Sequence, residues 1–276
     1  MAIEVFNRYE HKYLLDKKTY KEVIKTIDKH MQLDFYNIDK KPYTIANIYY
    51  DTHDDYLIRH SLDKPEYKEK LRLRSYGVPN ENSSVYLEIK KKYKGIVNKR
   101  RTTLHLDEAY EFLKTGIKPE KKPYMNGQVL NEIEYFLKVY NLEPKLYIAY
   151  DRIAYFEKDN PDLRISFDMN IRSRRYDLKL ETGDYGDYLL DSQTYLMEIK
   201  TALAKPLWLV HMFSELDMKK IKTDVFILGG GSGGMGCLYR LAKNGVKVIL
   251  CDKNGGFGGT SVYSGVSCWE PGVSLD

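Results

Sequence analysis

Two stretches, Lys70-Leu71-Arg72-Leu73-Arg74 and Leu87-Glu88-Ile89-Lys90, alternate charged and apolar side chains with a period of two. Strand side chains point alternately to opposite faces, so each stretch predicts a strand with one charged and one apolar face. A single strand of this kind would turn its charges to solvent, but repeated ones indicate a closed barrel with a basic interior that binds a polyanion. The alternation recurs at Arg8-Glu10-Lys12, Lys99-Arg101, Arg164-Ser166-Asp168 and Glu198-Lys200.

Turn signals and hydrophobic periodicity give the rest of the chain an α+β order. Asp16 is placed to cap an amphipathic helix after the first strand, and Asp107 to cap a short helix ending at Thr115. Helices are also predicted over 126–141 and 207–218. We therefore expect an eight-stranded antiparallel β-barrel with surrounding helices. Its predicted strands are 6–14, 43–51, 66–76, 84–93, 96–106, 145–156, 163–175 and 194–201.

Composition restricts the classes of partner. The chain has 276 residues, and its 44 Lys and Arg residues nearly balance 39 Asp and Glu, for a formal net charge of +5. An anion site must then come from local clustering, and we expect no nucleic-acid partner. The N-terminal stretch is polar, and no apolar run approaches the ~20 residues of a membrane-spanning helix. We expect no transmembrane segment and a cytoplasmic location, with which the absence of cysteine before Cys237 agrees.

The charged residues on the predicted strands suit phosphate chemistry. Glutamates among the cations would weaken a purely electrostatic trap, but carboxylates beside phosphates commonly hold Mg²⁺ or Mn²⁺. We therefore predict one divalent ion, with Glu198 as its best candidate ligand and Glu10 and Glu88 as further candidates. Phosphoryl transfer requires mainly positioning and electrostatic stabilisation, so such a site can be an enzyme. The candidate phosphate-binding cations are Arg8, Lys12, Arg72, Arg74, Lys90, Lys99, Arg101, Arg152, Arg164 and Lys200.

Seven stretches over about residues 4–218 carry a family resemblance: 8–15, 48–52, 70–77, 87–90, 150–152, 164–168 and 197–200. In this order they resemble the VTC-type polyphosphate polymerase domain of the triphosphate tunnel metalloenzyme, or CYTH-like, superfamily. The resemblance implies an antiparallel tunnel, a divalent metal ion and transfer of the ATP γ-phosphate to a growing polyphosphate chain. By position it implies that Glu198 binds the metal and that phosphate is handled by Arg72, Arg74, Lys90, Arg152 and Arg164.

The end of this region departs from the family's pattern. Members usually continue from the helix that ends here at Ser214-Glu215-Leu216 into a Ser-Lys-Tyr segment whose lysine returns to the tunnel. This chain continues instead as Asp217-Met218-Lys219-Lys220, in which Lys219 or Lys220 is the candidate substitute. The departure bears on catalysis more than on the predicted fold or on phosphate binding.

Three functions stay open on the residues alone. The family resemblance favours a polymerase that uses ATP, but the same cations would serve a triphosphatase, because water and a phosphate chain compete for one electrophile. The departure at the end of the tunnel region favours a noncatalytic module that binds polyphosphate. In each case the expected ligands are ATP, triphosphate or polyphosphate, with Mn²⁺ or Mg²⁺ for the two enzymes.

The sequence changes character near residue 222, which we take as a boundary between a tunnel domain (1–221) and a second region (222–276). A predicted strand (224–228) leads into the pattern G-x-G-x-x-G, and a predicted helix and strand follow. Such glycines let the backbone approach a pyrophosphate, and an acid after the second strand binds ribose hydroxyls. The region resembles the start of a FAD-dependent oxidoreductase, although about fifty residues cannot enclose a flavin. We therefore expect a truncated βαβ fragment that does not bind FAD, so a flavin-dependent oxidoreductase ranks last. Its candidate cofactor residues are Gly229, Gly231, Gly234 and Asp252.

Overall fold

A computed structural model describes residues 9–63, 65–94, 96–158, 160, 162–202, 204–218, 225–228, 238–239, 242–243 and 248–251. The chain divides into two compact units, Met1–Ile221 and Lys222–Asp276. Several residues singled out in the sequence lie outside the described ones, namely Arg8, Lys219, Lys220, Gly229, Gly231, Gly234 and Asp252.

The described part of the first unit contains ten strands and five α-helices. The strands are β1 (Tyr9–Asp16), β2 (Met31–Leu33), β3 (Tyr43–Thr52), β4 (Tyr67–Tyr76), β5 (Ser84–Tyr93), β6 (Ile96–His105), β7 (Leu142–Glu157), β8 (Arg164–Arg174), β9 (Asp187–Tyr188) and β10 (Thr194–Thr201). The helices are α1 (Lys17–His30), α2 (Tyr56–Leu62), α3 (Leu106–Thr115), α4 (Gly127–Val139) and α5 (Leu207–Glu215). None of the described helices combines the length and the apolar character that crossing a bilayer requires.

All ten strands belong to one antiparallel sheet. Eight of them form a hydrogen-bonded path in the order β1-β10-β8-β7-β3-β4-β5-β6, and the short β2 and β9 pair with β7 and β8. The predicted α+β class and its eight antiparallel strands are confirmed. In the described part of the path, no hydrogen-bonded ladder joins β1 to β6. Lys90 on β5, the strand next to the end of the path, still interacts electrostatically with Glu10 and Lys12 on β1.

The strand register places the predicted charged residues on one side of the curled sheet. Arg72 lies opposite Glu88, which lies opposite Arg101. At the other end of the path, Lys12 lies opposite Glu198. Opposed residues of an antiparallel pair project to the same side. We call this side the polar face. It consists of Glu10, Lys12, Tyr43, Asn47, Tyr49, Lys68, Lys70, Arg72, Arg74, Tyr76, Tyr86, Glu88, Lys90, Lys92, Lys99, Arg101, Arg152, Arg164, Asp168, Glu198 and Lys200.

The opposite side of the sheet is packed beneath the helices. Leu71 and Leu73 are fully buried in a cluster with Phe112 of α3 and Ile133 of α4. A second buried cluster joins apolar residues of β1, β8 and β10 to α1 and α5. The apolar core therefore lies outside the curved sheet and the charges lie inside it, as the alternation predicts.

Replacing Leu73 by alanine is expected to lower the free energy of unfolding by about 2–5 kcal/mol, because it leaves a cavity under the helices. Denaturant unfolding followed by circular dichroism measures this loss. The affinity of the folded protein for tripolyphosphate should stay at the wild-type value. Unchanged stability combined with weakened binding would instead place Leu73 on the polar face.

The structure differs locally from the sequence prediction: the short strands β2 and β9 were not predicted, β7 begins three residues earlier, and three helices differ. Helix α3 begins at Leu106, not after Asp107, because the Glu108 carboxylate accepts the N–H of His105. Helix α5 ends at Glu215, three residues earlier than predicted. Helix α2 was not predicted, and its start is held by the Asp51 carboxylate, which accepts the N–H groups of residues 57 and 58 at 2.8 and 2.9 Å.

The second unit contains a parallel pair of strands, β11 (Val225–Leu228) and β12 (Val248–Cys251). Parallel neighbours require a crossover connection, and residues 238–239 and 242–243 between the two strands are helical. This arrangement fits the predicted βαβ fragment.

Candidate anion-binding site

Glu88 lies at the centre of one cation cluster on the polar face. Its Oε2 accepts from Arg72 Nε at 2.7 Å and lies 2.6 Å from Arg72 Nη2, while Lys99 Nζ lies 2.9 Å from its Oε1. The Nη1 atom of Arg74 is 3.8 Å from the same Oε1. Burial raises the pKa of Glu88, but the three cations outweigh it and lower the pKa to about 2. One ionised carboxylate thus balances only one of three positive charges.

The arginines of this cluster are held by neutral partners as well. Arg72 donates from Nη1 to the Tyr49 hydroxyl at 3.1 Å. Arg74 donates from Nε to Asn47 Oδ1 at 2.9 Å and from Nη2 to the Tyr150 hydroxyl at 3.2 Å. Arg74 is buried, whereas the Arg72 side chain keeps 22% of its surface exposed. Arg72 is therefore the arginine of this cluster that a ligand on the polar face can reach.

A second cluster surrounds Glu198. Lys200 Nζ lies 2.5 Å from its Oε1, and Lys12 lies opposite it in the neighbouring strand. Burial raises the pKa of Glu198, but Lys200, Lys12 and Arg152 outweigh it and lower the pKa to about 2. Arg152 is held by Asp168 through two hydrogen bonds of 2.6 and 2.7 Å. Glu198 is therefore an ionised carboxylate among three cations, of which Arg152 is held in place by Asp168.

Lys90 connects the two clusters. Burial lowers the pKa of Lys90, Glu10 raises it, and Lys12, Arg72 and Lys200 lower it further. Arg72 belongs to the Glu88 cluster and Lys200 to the Glu198 cluster, and the strand register places both clusters on the polar face. An anion held there would meet cations from opposite walls.

The residues present fit a divalent ion held mostly by its substrate. In the described residues, no three acidic, histidine or cysteine side chains form a group that could hold a metal. Arg72 and Lys99 contact Glu88, and Lys12 lies 3.3 Å from Glu10. Mg²⁺ is usually bound through one or two carboxylates and completes its coordination with water and substrate phosphates. Glu198 could supply one such carboxylate once Lys200, whose Nζ lies 2.5 Å from its Oε1, turns to the phosphates, and its assignment as metal ligand stays a prediction.

The remaining predicted site residues lie on the polar face at its margins. Arg164 lies opposite Lys200 in the register and is exposed. Arg101 is exposed, and its guanidinium carbon lies 4.8 Å from the ring centroid of Tyr86. The structure thus brings every described candidate onto one face.

The sequence prediction missed the partners that hold these cations. Asp168 was seen only as part of an alternating strand, and Asn47, Tyr49 and Tyr150 were not assigned to the site. A signal was present, since Asn47 and Tyr49 are two residues apart in a strand and Tyr150 is two residues before Arg152. Period two places both pairs on the same side as the cations they contact.

Lys99 gives the site a pH dependence. Burial lowers the pKa of its ammonium group, Glu88 raises it, and Arg72 and Arg74 lower it again, to about 8. The group is charged below that pH and neutral above it, so tripolyphosphate affinity should fall as the pH rises from about 7 to about 9. In Lys99→Arg the charge persists over this range, and the fall should be smaller. Calorimetric titrations of both proteins test this, because ionisation of the ligand is common to both. Parallel curves would contradict it.

The second unit matches a second family, and two curated dehydrogenases match a short part of the chain. The family described as FAD binding domain matches residues 224–276. The chain is 40% identical over 52 residues to the 3-oxosteroid 1-dehydrogenase of Rhodococcus opacus, covering 19% of this chain and 10% of that protein. It is 39% identical over 54 residues to the 4-oxocyclohex-2-ene-1-carboxylate 5-dehydrogenase of Sinomonas cyclohexanicum, covering 20% and 9%. The chain thus spans about a tenth of the length of these curated relatives.

Three solved structures match most of the chain at low identity. A presumed adenylate cyclase from Bacillus halodurans matches with 14% identity and a TM-score of 0.47, covering 80% of this chain and 96% of that one. One from Vibrio parahaemolyticus has 12% identity and a TM-score of 0.37, covering 77% and 85%. A presumed adenylyl cyclase from Hippeastrum, described as having a dominant triphosphatase activity, has 16% identity and a TM-score of 0.42, covering 76% and 88%.

The first unit matches one family over nearly its whole length. The family described as VTC domain matches residues 7–229. This range contains the polar face, the two cation clusters around Glu88 and Glu198, and helices α1 to α5. By this match over most of its length, the chain belongs to the VTC domain family.

Proposed function

We propose that the first unit is an ATP-dependent polyphosphate polymerase, which transfers the γ-phosphate of ATP to a growing polyphosphate chain inside its basic interior. The observation that carries the proposal is the pair of cation clusters around Glu88 and Glu198, which lie on one polar face together with Lys90. Membership of the VTC domain family supports the same reaction.

The charge of the polar face suits a chain of phosphates. Its described positions carry twelve Lys or Arg side chains and four Asp or Glu. The cations thus outnumber the carboxylates, and an excess of positive charge on one face attracts a polyanion. Fixed cations also offset the free energy that the phosphates lose when they leave water. Arginine adds planar pairs of donors that match phosphate oxygens.

Individual residues take distinct parts in this proposal. Arg72, Lys90 and Lys99 bind the phosphates from one wall, and Lys12 and Lys200 bind them from the other. Glu198 would hold Mn²⁺ or Mg²⁺, and such an ion would supply positive charge to the transferred phosphate. Among the described residues, the other assigned cations, Arg74, Arg101, Arg152 and Arg164, complete the positive lining, and Arg8 stays a sequence-based candidate for it.

Incubation of the purified protein with ATP and Mn²⁺, followed by gel electrophoresis with a polyphosphate stain, tests the polymerase. A ladder of polyphosphate is the expected result. Release of inorganic phosphate without a ladder would identify a triphosphatase, which the same cations would serve. Tight polyphosphate binding without ATP turnover would identify a binding module, and either outcome would overturn the polymerase.

A further inference from the structure

Four tyrosine rings meet at one end of the polar face. The ring centroid of Tyr36 lies 6.2 Å from that of Tyr43 and 6.3 Å from that of Tyr76. Tyr76 lies 6.0 Å from Tyr43 and 5.5 Å from Tyr86. Tyr36 and Tyr76 remain 68% and 46% exposed. We call these four residues the tyrosine platform; it leaves aromatic surface in contact with water.

The tyrosine platform adjoins the phosphate-binding cations. Tyr43 lies opposite Arg152 in the strand register, and Tyr86 lies opposite Arg74. The guanidinium of Arg101 rests over the ring of Tyr86. A ligand seated on the platform can therefore extend directly onto arginines.

The opposite end of the same strands is different in character. Lys68 and Lys92 lie opposite each other near one end of the β4–β5 ladder, and Lys70 and Lys90 follow them. Tyr76 is at the other end of β4, where it ends. Along β4 and β5 the polar face thus passes from tyrosines through Arg74, Arg72 and Glu88 to lysines. The interior has two chemically distinct ends.

The loop that carries Tyr36 is fixed to the strand that carries Arg152. Asn37 is buried, and its Nδ2 donates to the carbonyl oxygen of Arg152 at 3.0 Å. Its Oδ1 accepts the N–H of Ala154 at 2.9 Å, and the N–H of Asp34 donates to the carbonyl of Ala154 at 2.8 Å. Tyr36 is therefore held beside the cation site by bonds on both sides of it in sequence.

We infer that the tyrosine platform binds the base of a nucleoside triphosphate while the adjoining arginines bind its phosphates. This rests on the proposed function, because it assumes that phosphates occupy the polar face. Nucleobases stack on aromatic side chains through their faces, and this stacking tolerates every base. The platform is built from rings, so it should accept purine nucleotides with little discrimination between adenine and guanine. The lysine end is left for the phosphate chain.

Calorimetric titration of metal-free protein with ATP, GTP and inorganic tripolyphosphate separates the base from the phosphates. In Tyr36→Ala the affinity for ATP and GTP should fall about 5- to 100-fold, the usual range for loss of one stacking ring. The affinity for tripolyphosphate should stay within about twofold of wild type. Tyr36→Phe keeps the ring and should bind all three ligands as the wild type does. Tyr135→Ala removes an exposed tyrosine on α4 and serves as the matched control.

The outcomes distinguish this inference from the proposed function. If wild-type protein fails to bind tripolyphosphate, the proposed function is wrong, and so is the inference that the tyrosine platform binds a base. If tripolyphosphate binds but Tyr36→Ala leaves ATP affinity unchanged, or weakens both ligands equally, only the base site is overturned. Tyr76→Ala, measured in the same way with its folding checked by circular dichroism, repeats the test on a second ring.

Discussion

Replacing Glu198 by glutamine is expected to reduce Mn²⁺-dependent turnover of ATP by about 100-fold or more, because a metal ion on a transferred phosphate supplies several kcal/mol of charge stabilisation. Glutamine keeps the shape of the side chain and removes its charge. Metal-free tripolyphosphate binding should stay equal or become tighter, since a negative charge leaves a site otherwise rich in cations. Mn²⁺ binding in the presence of tripolyphosphate, followed by electron paramagnetic resonance, should weaken in parallel with turnover.

The opposite pattern would identify Glu198 as a charge-balancing residue. If Glu198 only neutralises Lys200 and Lys12, the variant should keep its Mn²⁺-stimulated activity while its phosphate affinity changes. Glu22→Gln on α1, a carboxylate paired with Lys25 on the helix surface, is the matched control and should leave all three measurements unchanged. Wild-type turnover must be established first in the same preparation.

Replacing Arg72 by alanine is expected to weaken tripolyphosphate binding by about 10- to 100-fold, because charge-assisted hydrogen bonds contribute about 1.5–3 kcal/mol. The side chain reaches the interior from a strand whose opposite face, Leu71 and Leu73, stays packed, so no cavity opens in the core. Glu88 keeps Lys99 as an ion-pair partner in this variant. Calorimetric titration at fixed salt measures the loss, and thermal unfolding measures the retained fold.

Three further substitutions complete the Arg72 experiment. Arg72→Lys keeps the charge without the planar pair of donors and should bind with intermediate affinity. Arg59→Ala on α2 removes an exposed, salt-bridged arginine and should bind as wild type. Arg74→Ala should lose stability as well as affinity, because Arg74 is buried against Asn47 and Tyr150. Wild-type affinity in Arg72→Ala at matched salt would remove this residue from the site.

Features that depend on neighbours in sequence were predictable. Leu73 and Arg72 lie on opposite faces of the sheet, as the period-two geometry of a strand predicts, and the register confirms this. The start of α1 just after Asp16 is also determined locally, because the Asp16 carboxylate accepts the N–H of Thr19, three residues later. Helix α2 was missed because its cap comes from Asp51, six residues before the N–H group of Leu57.

Features that depend on which strands meet were decided by the tertiary structure. The sequence offers Glu198 as the best candidate for a metal ligand and Glu10 and Glu88 as further candidates, without showing which cations surround each of them. The register gives Glu88 three cation neighbours from the two adjoining strands, β4 and β6, and places Glu198 among Lys200, Lys12 and Arg152. Arg152 pairs with Asp168, sixteen residues later in sequence, because the register of β7 and β8 places the two residues opposite each other.

The sequence by itself determined the alternating strands, the basic face and the family, because side-chain direction and local caps are set within a few residues. Only the tertiary structure decided which charges meet, and it placed Tyr36 beside Tyr76 although forty residues separate them. The physical reason is that ion pairs and ring contacts require distances of a few ångströms. Those distances are fixed by strand order and sheet curvature, which no single stretch of sequence contains.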